Sequence, residues 1–197
     1  MNNEKEKSRV GVLLGSFDPI HMGHLYMAAS ALNDNLVNRV IFVPSVQNPW
    51  KEESTDFRHR CFMVQLAIDE LDHCYLSSID FRTSEPHYSV NTLMLLKEEY
   101  TDDELYLIVG ADVVDEIKNW KDGEWILENF KLIAVNRHGY EFKTAVDGYI
   151  SNTLEISSTI IRYLAKEGKQ LYPLVPKVVN QYIKRYNLYN EKLELHH

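Results

Sequence analysis

Cysteine is nearly absent from this chain. Cys61 and Cys74 are its only two, too few for a disulfide framework and without the spacing of a zinc site, which fits a small-core role in a reducing cytoplasm. Long apolar runs are also lacking: none approaches the roughly 20 residues that span a bilayer, and the opening "MNNEKEKSRVGVLLG" shows no hydrophobic signal stretch before a small-residue cleavage site. A cytoplasmic protein that does not engage membranes is expected. Basic charge is short, with 21 Lys and Arg against 29 Asp and Glu for a formal charge of -8. That balance excludes a general affinity for nucleic acid, which depends on a clustered cationic surface. It does not exclude a small anion, for which a few donors and a helix start suffice. Linkers rich in Pro, Gly or Ser and internal repeats are missing too, so residues 1–197 are read as a single domain. Residues 1–8 and 191–197 are expected to be flexible ends, the terminal "LELHH" being read as the remnant of an expression tag.

What is present is a regular alternation. Short apolar runs at Arg9–Leu14, Val40–Val43, Leu76–Ile79, Leu105–Val109, Lys131–Val135 and Gly148–Ile150 read as strands. Helical patterns at Gly23–Leu36, Phe57–Leu71, Val90–Tyr100, Ser157–Lys166 and Lys177–Tyr186 lie between or after them. In "VGVLL" and "LYLIVG" apolar residues follow one another without alternation, the mark of strands covered on both faces. The expected fold is α/β: a doubly wound parallel sheet of Rossmann-like type with a small helical part at the C-terminal end. Ligands of such sheets sit beyond the carboxyl ends of the strands, which puts the loops after Leu14, Val43 and Val109 on one edge.

The first of those loops, "GSFDPIHMGH", carries the chemistry. Gly15 permits a tight turn, Gly23 lets a ligand approach the backbone, and His21 and His24 share a face at the start of a helix. Three readings stand beside one another: a packing accident, part of a zinc site, or a phosphate grip made of imidazole donors and free amides. A zinc site needs further ligands at recognisable spacing, and none is evident. A second stretch, "LEISSTIIRYLAKEG", has Ser157 or Ser158 as amino cap, Gly168 as a stop and Arg162 one turn inside. It reads either as a capped surface helix with a solvated arginine or as the other half of a phosphate clamp. In "GADVVDEIKNW", Gly110 ends a buried strand, Asp112 stands at a helix start and Trp120 offers a flat face, as either core or stacking platform.

Taken together, "GSFDPIHMGH" and "ISSTIIR" resemble the two signatures of the nucleotidyltransferase superfamily that moves adenylyl or cytidylyl groups from nucleoside triphosphates to phosphorylated acceptors. Within it the chain is similar to the bacterial nicotinate mononucleotide adenylyltransferases from Val10 to Tyr189, through "VPSVQNPWK", "HRCFMVQLAID", "HYSVNTL", "LIVGADVVDEIKNW" and "LVPKVVNQYIKRYNLY". The related pantetheine-phosphate adenylyltransferases share the histidine loop and a serine-rich helix start but lack the "GADVVDEIKNW" segment.

The resemblance implies adenylyl transfer from ATP to nicotinate mononucleotide, with Mg²⁺ arriving on ATP and no metal ligands from the protein. It implies catalytic roles for His21, His24, Lys51 and Arg162. ATP would be bound by Gly15, Ser16, Phe17, His21, Gly23, His24, Gly110, Asp112, Ser157, Ser158 and Arg162. The acceptor would be bound by Ser16, Lys51, Tyr88, Ser89, Val90, Trp120 and Arg137. Departures from the family pattern fall mainly on the acceptor side. Val90 stands where a hydroxyl residue is common, Trp50 where a histidine is usual, and His138 follows Arg137 where a proline is common. Alternative acceptors are nicotinamide mononucleotide, phosphopantetheine or a cytidylyl acceptor, and a non-catalytic nucleotide-binding module is a further alternative. A homo-oligomer is compatible with all of these.

Overall fold

The computed structural model describes residues 7–47 and 55–190. Its centre is a six-stranded parallel sheet in the order β3-β2-β1-β4-β5-β6. The strands are β1 (Arg9–Gly15), β2 (Arg39–Pro44), β3 (Cys74–Leu76), β4 (Glu104–Gly110), β5 (Lys131–Val135) and β6 (Gly148–Ile150). The helices are α1 (Met22–Asn33), α2 (Phe57–Ile68), α3 (Ser89–Glu99), α4 (Ala111–Val114), α5 (Gly123–Asn129), α6 (Ser158–Lys166) and α7 (Lys177–Arg185). The expected doubly wound architecture is what the chain adopts.

Period-two alternation explains why both faces are covered. In the four central strands, Leu13, Val40, Phe42, Ile108 and Ile133 point to one side, where α1, α2, α6 and α7 supply Ala28, Met63, Ile161 and Val179. Val12, Ile41, Val43, Leu107 and Leu132 point to the other, against Leu93 and Leu96 of α3, Val114 of α4 and Ile126 of α5. Because every second residue is spoken for on each face, the strands must be apolar throughout, as their sequence is. The chain crosses from the first helical layer to the second between β3 and β4, and β4 then pairs with β1 in parallel, Arg9 opposite Glu104. This reversal of winding opens a crevice at the carboxyl ends of β1 and β4, between Gly15 and Gly110.

Several boundaries differ from the sequence expectation. The third strand ends at Leu76 instead of beginning there, because Ser77 donates its amide to the Phe42 carbonyl and its hydroxyl then accepts from the Ile79 amide. That local serine turn diverts Ile79 into a 3₁₀ turn, Ile79–Arg82. The first helix stops at Asn33 because Asn35 enters the left-handed region at φ 52° and the Leu36 amide returns to the Ala31 carbonyl. The helix expected to start at Asp112 is short: residues 111–129 are broken into α4, a 3₁₀ turn at Ile117–Asn119, and α5.

Gly123 makes that break close-packed: a Cβ there would collide with the Ile117 carbonyl. Backbone cannot swing aside as a side-chain tip can, so Gly123→Ala is expected to cost about 1–3 kcal/mol. Urea unfolding of the variant beside the parent protein checks this, and an unchanged midpoint would refute the close packing.

Candidate active site

The loop between β1 and α1 lacks regular structure, yet Phe17, Asp18 and His21 within it are 3%, 5% and 6% exposed. Its backbone polar groups must therefore find partners, and they find them on remote segments. Arg60 of α2, 1% exposed, donates to the carbonyls of Ser16 at 2.7 Å, Ser45 at 2.6 Å, Val46 at 2.7 Å and Thr55 at 2.7 Å. Arg162 of α6 donates to the Asp18 carbonyl at 2.7 Å, and the Ser158 hydroxyl donates to the Pro19 carbonyl at 2.9 Å. The Asp18 carboxylate accepts from the Tyr189 hydroxyl at 2.8 Å and from the Thr55 amide at 3.2 Å. Burial, followed by the Asp18 charge, pushes the Tyr189 phenol far above its usual range, so it serves as a neutral donor. The site thus rests on the carbonyls of Ser16, Asp18 and Pro19, each gripped by a side chain from elsewhere.

On this base the two histidines stack face to face, with ring centroids 3.6 Å apart and an angle of 19°. Phe17 meets His24 edge-on at 4.9 Å. Phe17 holds φ at 47°, a region costly for a bulky side chain, and its ring lies beneath Gly15 at 3.4 Å from where a Cβ would stand. The His21 amide donates to His24 Nδ1 at 3.3 Å. A neutral His24 therefore carries its proton on Nε2. Neutral is what the site favours. Burial, then the Arg137 charge, lowers His21 from 6.5 to about 4, and burial, then His21 and Arg137, holds His24 well below its usual value. The sequence suggests imidazoles that bring positive character; in the folded protein they are uncharged donors. Gly23 has no room for a side chain, since a Cβ would stand 3.0 Å from both His21 Nδ1 and the Leu154 carbonyl.

Two cavities open at this edge. One, of about 410 Å³, is walled by Phe17, His21, His24, Gly110, Arg137 and the start of α6 at Ser157, Ser158 and Thr159. The other, of about 320 Å³, is walled by Ser16, Ser45, His87, Tyr88, Ser89 and Trp120. Leu14, Gly15 and Trp120 line both, so the cavities meet above the end of β1. Ser157 caps α6, its hydroxyl accepting from the Ile160 amide at 3.3 Å, and the turn that follows faces the first cavity with its partly positive amino end. At α1 that resource is smaller than the sequence suggests. The Met22 amide is taken by the Leu174 carbonyl and the His24 amide by the His21 carbonyl.

The structure thus gathers Gly15, Phe17, His21, Gly23, His24, Gly110, Asp112, Ser157 and Ser158 around the first cavity, and Ser16, Tyr88, Ser89 and Trp120 around the second. Arg137, read from sequence as reaching a phosphate or the acceptor carboxylate and assigned to the acceptor, lines the first cavity, where it donates to Asp112 at 2.5 Å; β5 ends on that side of the crevice. Ser16 lines the second cavity and does not line the first. Arg162 does not line the first cavity, because its guanidinium is turned to the Asp18 carbonyl. Val90, expected at the acceptor, is only 2% exposed and packs in the core between the sheet and α3; Tyr88 and Ser89 line the second cavity and Val90 does not. Lys51, Pro49 and Trp50 lie outside the described residues. Sequence reasoning missed Arg60, Asp18, Tyr189 and His87. A buried arginine inside the apolar stripe of α2 was the available signal for the first. Among the described residues no group of three or more His, Cys, Asp or Glu is placed to hold a metal ion.

This geometry, a phosphate-sized grip at the switch point of a doubly wound sheet joined to a second cavity, has the outline of an α/β nucleotidyltransferase. The cytidylyltransferase-like family model matches residues 12–164. A relative from Thermus thermophilus, named "Probable nicotinate-nucleotide adenylyltransferase", is 36% identical over 92% of this chain and 99% of its own length. A relative of the same name from Bacillus pumilus is 33% identical over 92% and 98%. Among solved structures, the Plasmodium falciparum nicotinic acid mononucleotide adenylyltransferase complexed with NaAD superposes with a TM-score of 0.76 over 93% of this chain and 98% of that one, at 22% identity. The chain belongs to the cytidylyltransferase-like family and, within it, to the nicotinate-nucleotide adenylyltransferases.

A histidine buried in neutral form makes stability depend on pH with a definite sign. The folded value of His21, about 4, lies below the ordinary 6.5, so between these values the unfolded chain binds more protons. Its contribution is complete above pH 6.5 and is lost as pH falls toward 4, about 3 kcal/mol in all. His24 acts in the same direction. Urea midpoints at pH 7.5, 6 and 5 are expected to fall steeply for the parent and less steeply for His21→Gln; parallel slopes would refute the neutral pair.

Proposed function

We propose that this protein transfers the adenylyl group of MgATP to nicotinate mononucleotide, giving deamido-NAD and pyrophosphate, a step of NAD biosynthesis. The observation that carries the reading is the junction of the two cavities at Gly15, which puts a triphosphate grip and a ring-sized pocket within one substrate's reach of each other. The names of the curated relatives supply the acceptor's identity.

The chemistry asks little covalently of the protein. The acceptor's phosphate oxygen, ionised at neutral pH, attacks the α-phosphorus in line and pyrophosphate departs, so alignment and charge stabilisation are the protein's tasks. His24 Nε2–H and the His21 ring are donors for the triphosphate, neutral and therefore free of the cost of burying a cation before the substrate arrives. The amino end of α6 at Ser158 and Thr159 adds fixed partial charge from the other side. Arg162 is a positioning residue here, holding the Asp18 carbonyl so that the two jaws keep their spacing. Lys51 is assigned to the phosphates. Mg²⁺ enters as part of the substrate, carried by phosphate oxygens and water, in keeping with its preference for few protein ligands. On the acceptor side, Trp120 supplies a face for the pyridine ring, and the start of α3 at Ser89 supplies its amino end for the carboxylate.

Removing one preorganised donor to developing charge costs about 10²-fold in turnover. His24→Ala is expected to lose at least that in a protein that still unfolds cooperatively; near-normal turnover would remove His24 from the mechanism. Pyrophosphate release from MgATP, assayed with nicotinate, nicotinamide and pantetheine acceptors in turn, is expected to favour nicotinate mononucleotide. A preference for another acceptor, or tight ATP binding with no product, would overturn the assignment.

A further inference from the structure

The second cavity is almost without formal charge. Among the described residues that line it, Lys121 is the one Lys, Arg, Asp or Glu. Backbone bonds set its place. The Gly123 amide donates to the Trp120 carbonyl at 3.0 Å, closing a tight turn with Lys121 and Asp122 at its centre. Asp122 takes the left-handed corner at φ 51°, and Gly123 packs against the Ile117 carbonyl with no room for a Cβ. The main chain of Lys121 is thereby fixed next to Trp120, while its long side chain stays movable. Its ammonium lies 3.3 Å from the Asp122 carboxylate, in a pair whose side chains are 57% and 45% exposed. Asp122 itself does not line the cavity. A pair so open to water contributes little, so the ammonium can leave it at small cost.

We propose that Lys121 sets the preference for an acid over an amide acceptor, its ammonium meeting the carboxylate on the acceptor's ring; this rests on the nicotinate reading above. Nicotinate and nicotinamide mononucleotides share ring, ribose and phosphate, and differ by one negative charge where a carboxylate stands in place of a carboxamide. Both substituents present an oxygen, so uncharged donors such as the Ser89 hydroxyl and the amides at the start of α3 serve either one. His87 works the other way. The Thr83 hydroxyl spends its proton on the Asp80 carbonyl at 2.8 Å and so accepts from His87 Nδ1 at 2.6 Å. The neutral ring then keeps a lone pair on Nε2, which suits an amide N–H and not a carboxylate. A full positive charge is what separates the two ligands, and Lys121 is where this cavity has one. A ring laid against Trp120 also excludes water from the ammonium, so its attraction for a carboxylate there exceeds what the exposed Asp122 supplies.

Steady-state kinetics on the full-length protein, with MgATP and either mononucleotide, tests this. Lys121→Met is expected to raise KM for nicotinate mononucleotide by about fivefold, between the effect of an exposed ion pair and that of a buried charge-assisted bond. KM for ATP and for nicotinamide mononucleotide should stay unchanged, so the acid preference shrinks in proportion. Lys121→Arg keeps the charge and should keep most of the preference. Lys118→Met, which makes the same change in net charge outside this cavity, should leave it unmoved. Because both acceptors carry the same phosphate, the ratio of their KM values isolates the substituent. In the parent that ratio should move toward one at about 0.5 M salt, and in Lys121→Met it should respond little. Asp122→Asn tolerates the left-handed corner and frees the ammonium, so it should strengthen the preference. A preference weakened by Asp122→Asn, or unmoved by Lys121→Met in a protein active on nicotinate mononucleotide, would overturn the role of Lys121 alone and leave the amino end of α3 as the reader. Parent protein that turned over neither mononucleotide, or preferred the amide, would overturn the acceptor reading and this inference with it.

Discussion

The carbonyl oxygens of Ser16, Asp18 and Pro19 are the points on which the site depends. A loop that must leave its amides and imidazoles facing a phosphate cannot also close its own backbone hydrogen bonds, so its acceptors have to be satisfied from behind. Arg60, Arg162 and Ser158 do this from three directions and two helices. Each supplies rigidity as well as satisfaction. An arginine that forks to four carbonyls fixes the relative positions of all of them, which a lysine with one compact charge could not do. Arg60 carries its charge in a nearly solvent-free place, where burial lowers its affinity for a proton and the Asp18 carboxylate acts in the opposite sense. The ring of contacts around the loop is thus electrostatically closed. The sheet sets where the loop begins and the remote side chains set where it goes.

That arrangement accounts for the neutral histidines. With the Arg137 guanidinium near and no carboxylate hydrogen-bonded to either ring among the described residues, protonation of His21 or His24 would place an uncompensated cation in a poorly hydrated pocket. Held neutral, the pair offers directed N–H groups whose strength grows when a polyanion displaces water. Arg137 is partly offset by Asp112, and this exposed pair contributes orientation more than stability. In the proposed reaction, attraction for the nucleotide comes from dipoles that are already aimed, so little reorganisation is left for the moment when charge moves onto the leaving pyrophosphate.

Fold class is legible in the sequence because consecutive apolar residues in Val10–Leu14 and Leu105–Val109 leave few alternatives to strands covered twice. The nucleotide side is legible because its residues lie in two short runs, each next to an element boundary marked by glycine or serine. What escapes is contributed one residue at a time. Arg60 sits in a helix whose other buried positions are apolar, and nothing in its neighbours announces that four carbonyls await it. Tyr189 reaches Asp18 across 171 positions of chain. The third strand lies earlier than its apolar pattern suggests, because Leu76–Ile79 is apolar at its ends while Ser77 and Ser78 turn the backbone locally. Arg137 stands at the other cavity from the one expected for a related reason: the register at a strand's end is visible in sequence, but which wall of a crevice a long side chain follows is not.

The two cavities therefore differ in how they are encoded. The nucleotide side is built from helix starts and a glycine-bounded loop, features that recur wherever phosphate is bound, because the phosphate group is the same in every substrate. The acceptor side is built from the 3₁₀ turn before Trp120, the approach to α3 and the Asp80–Thr83–His87 chain, elements short enough that each depends on one or two side-chain hydrogen bonds. On the proposed reading, the acceptor side is therefore the part of the site that a single substitution reaches without touching the sheet or the histidine loop. Recognition of the acceptor is then a matter of which polar atoms the short elements leave unpaired.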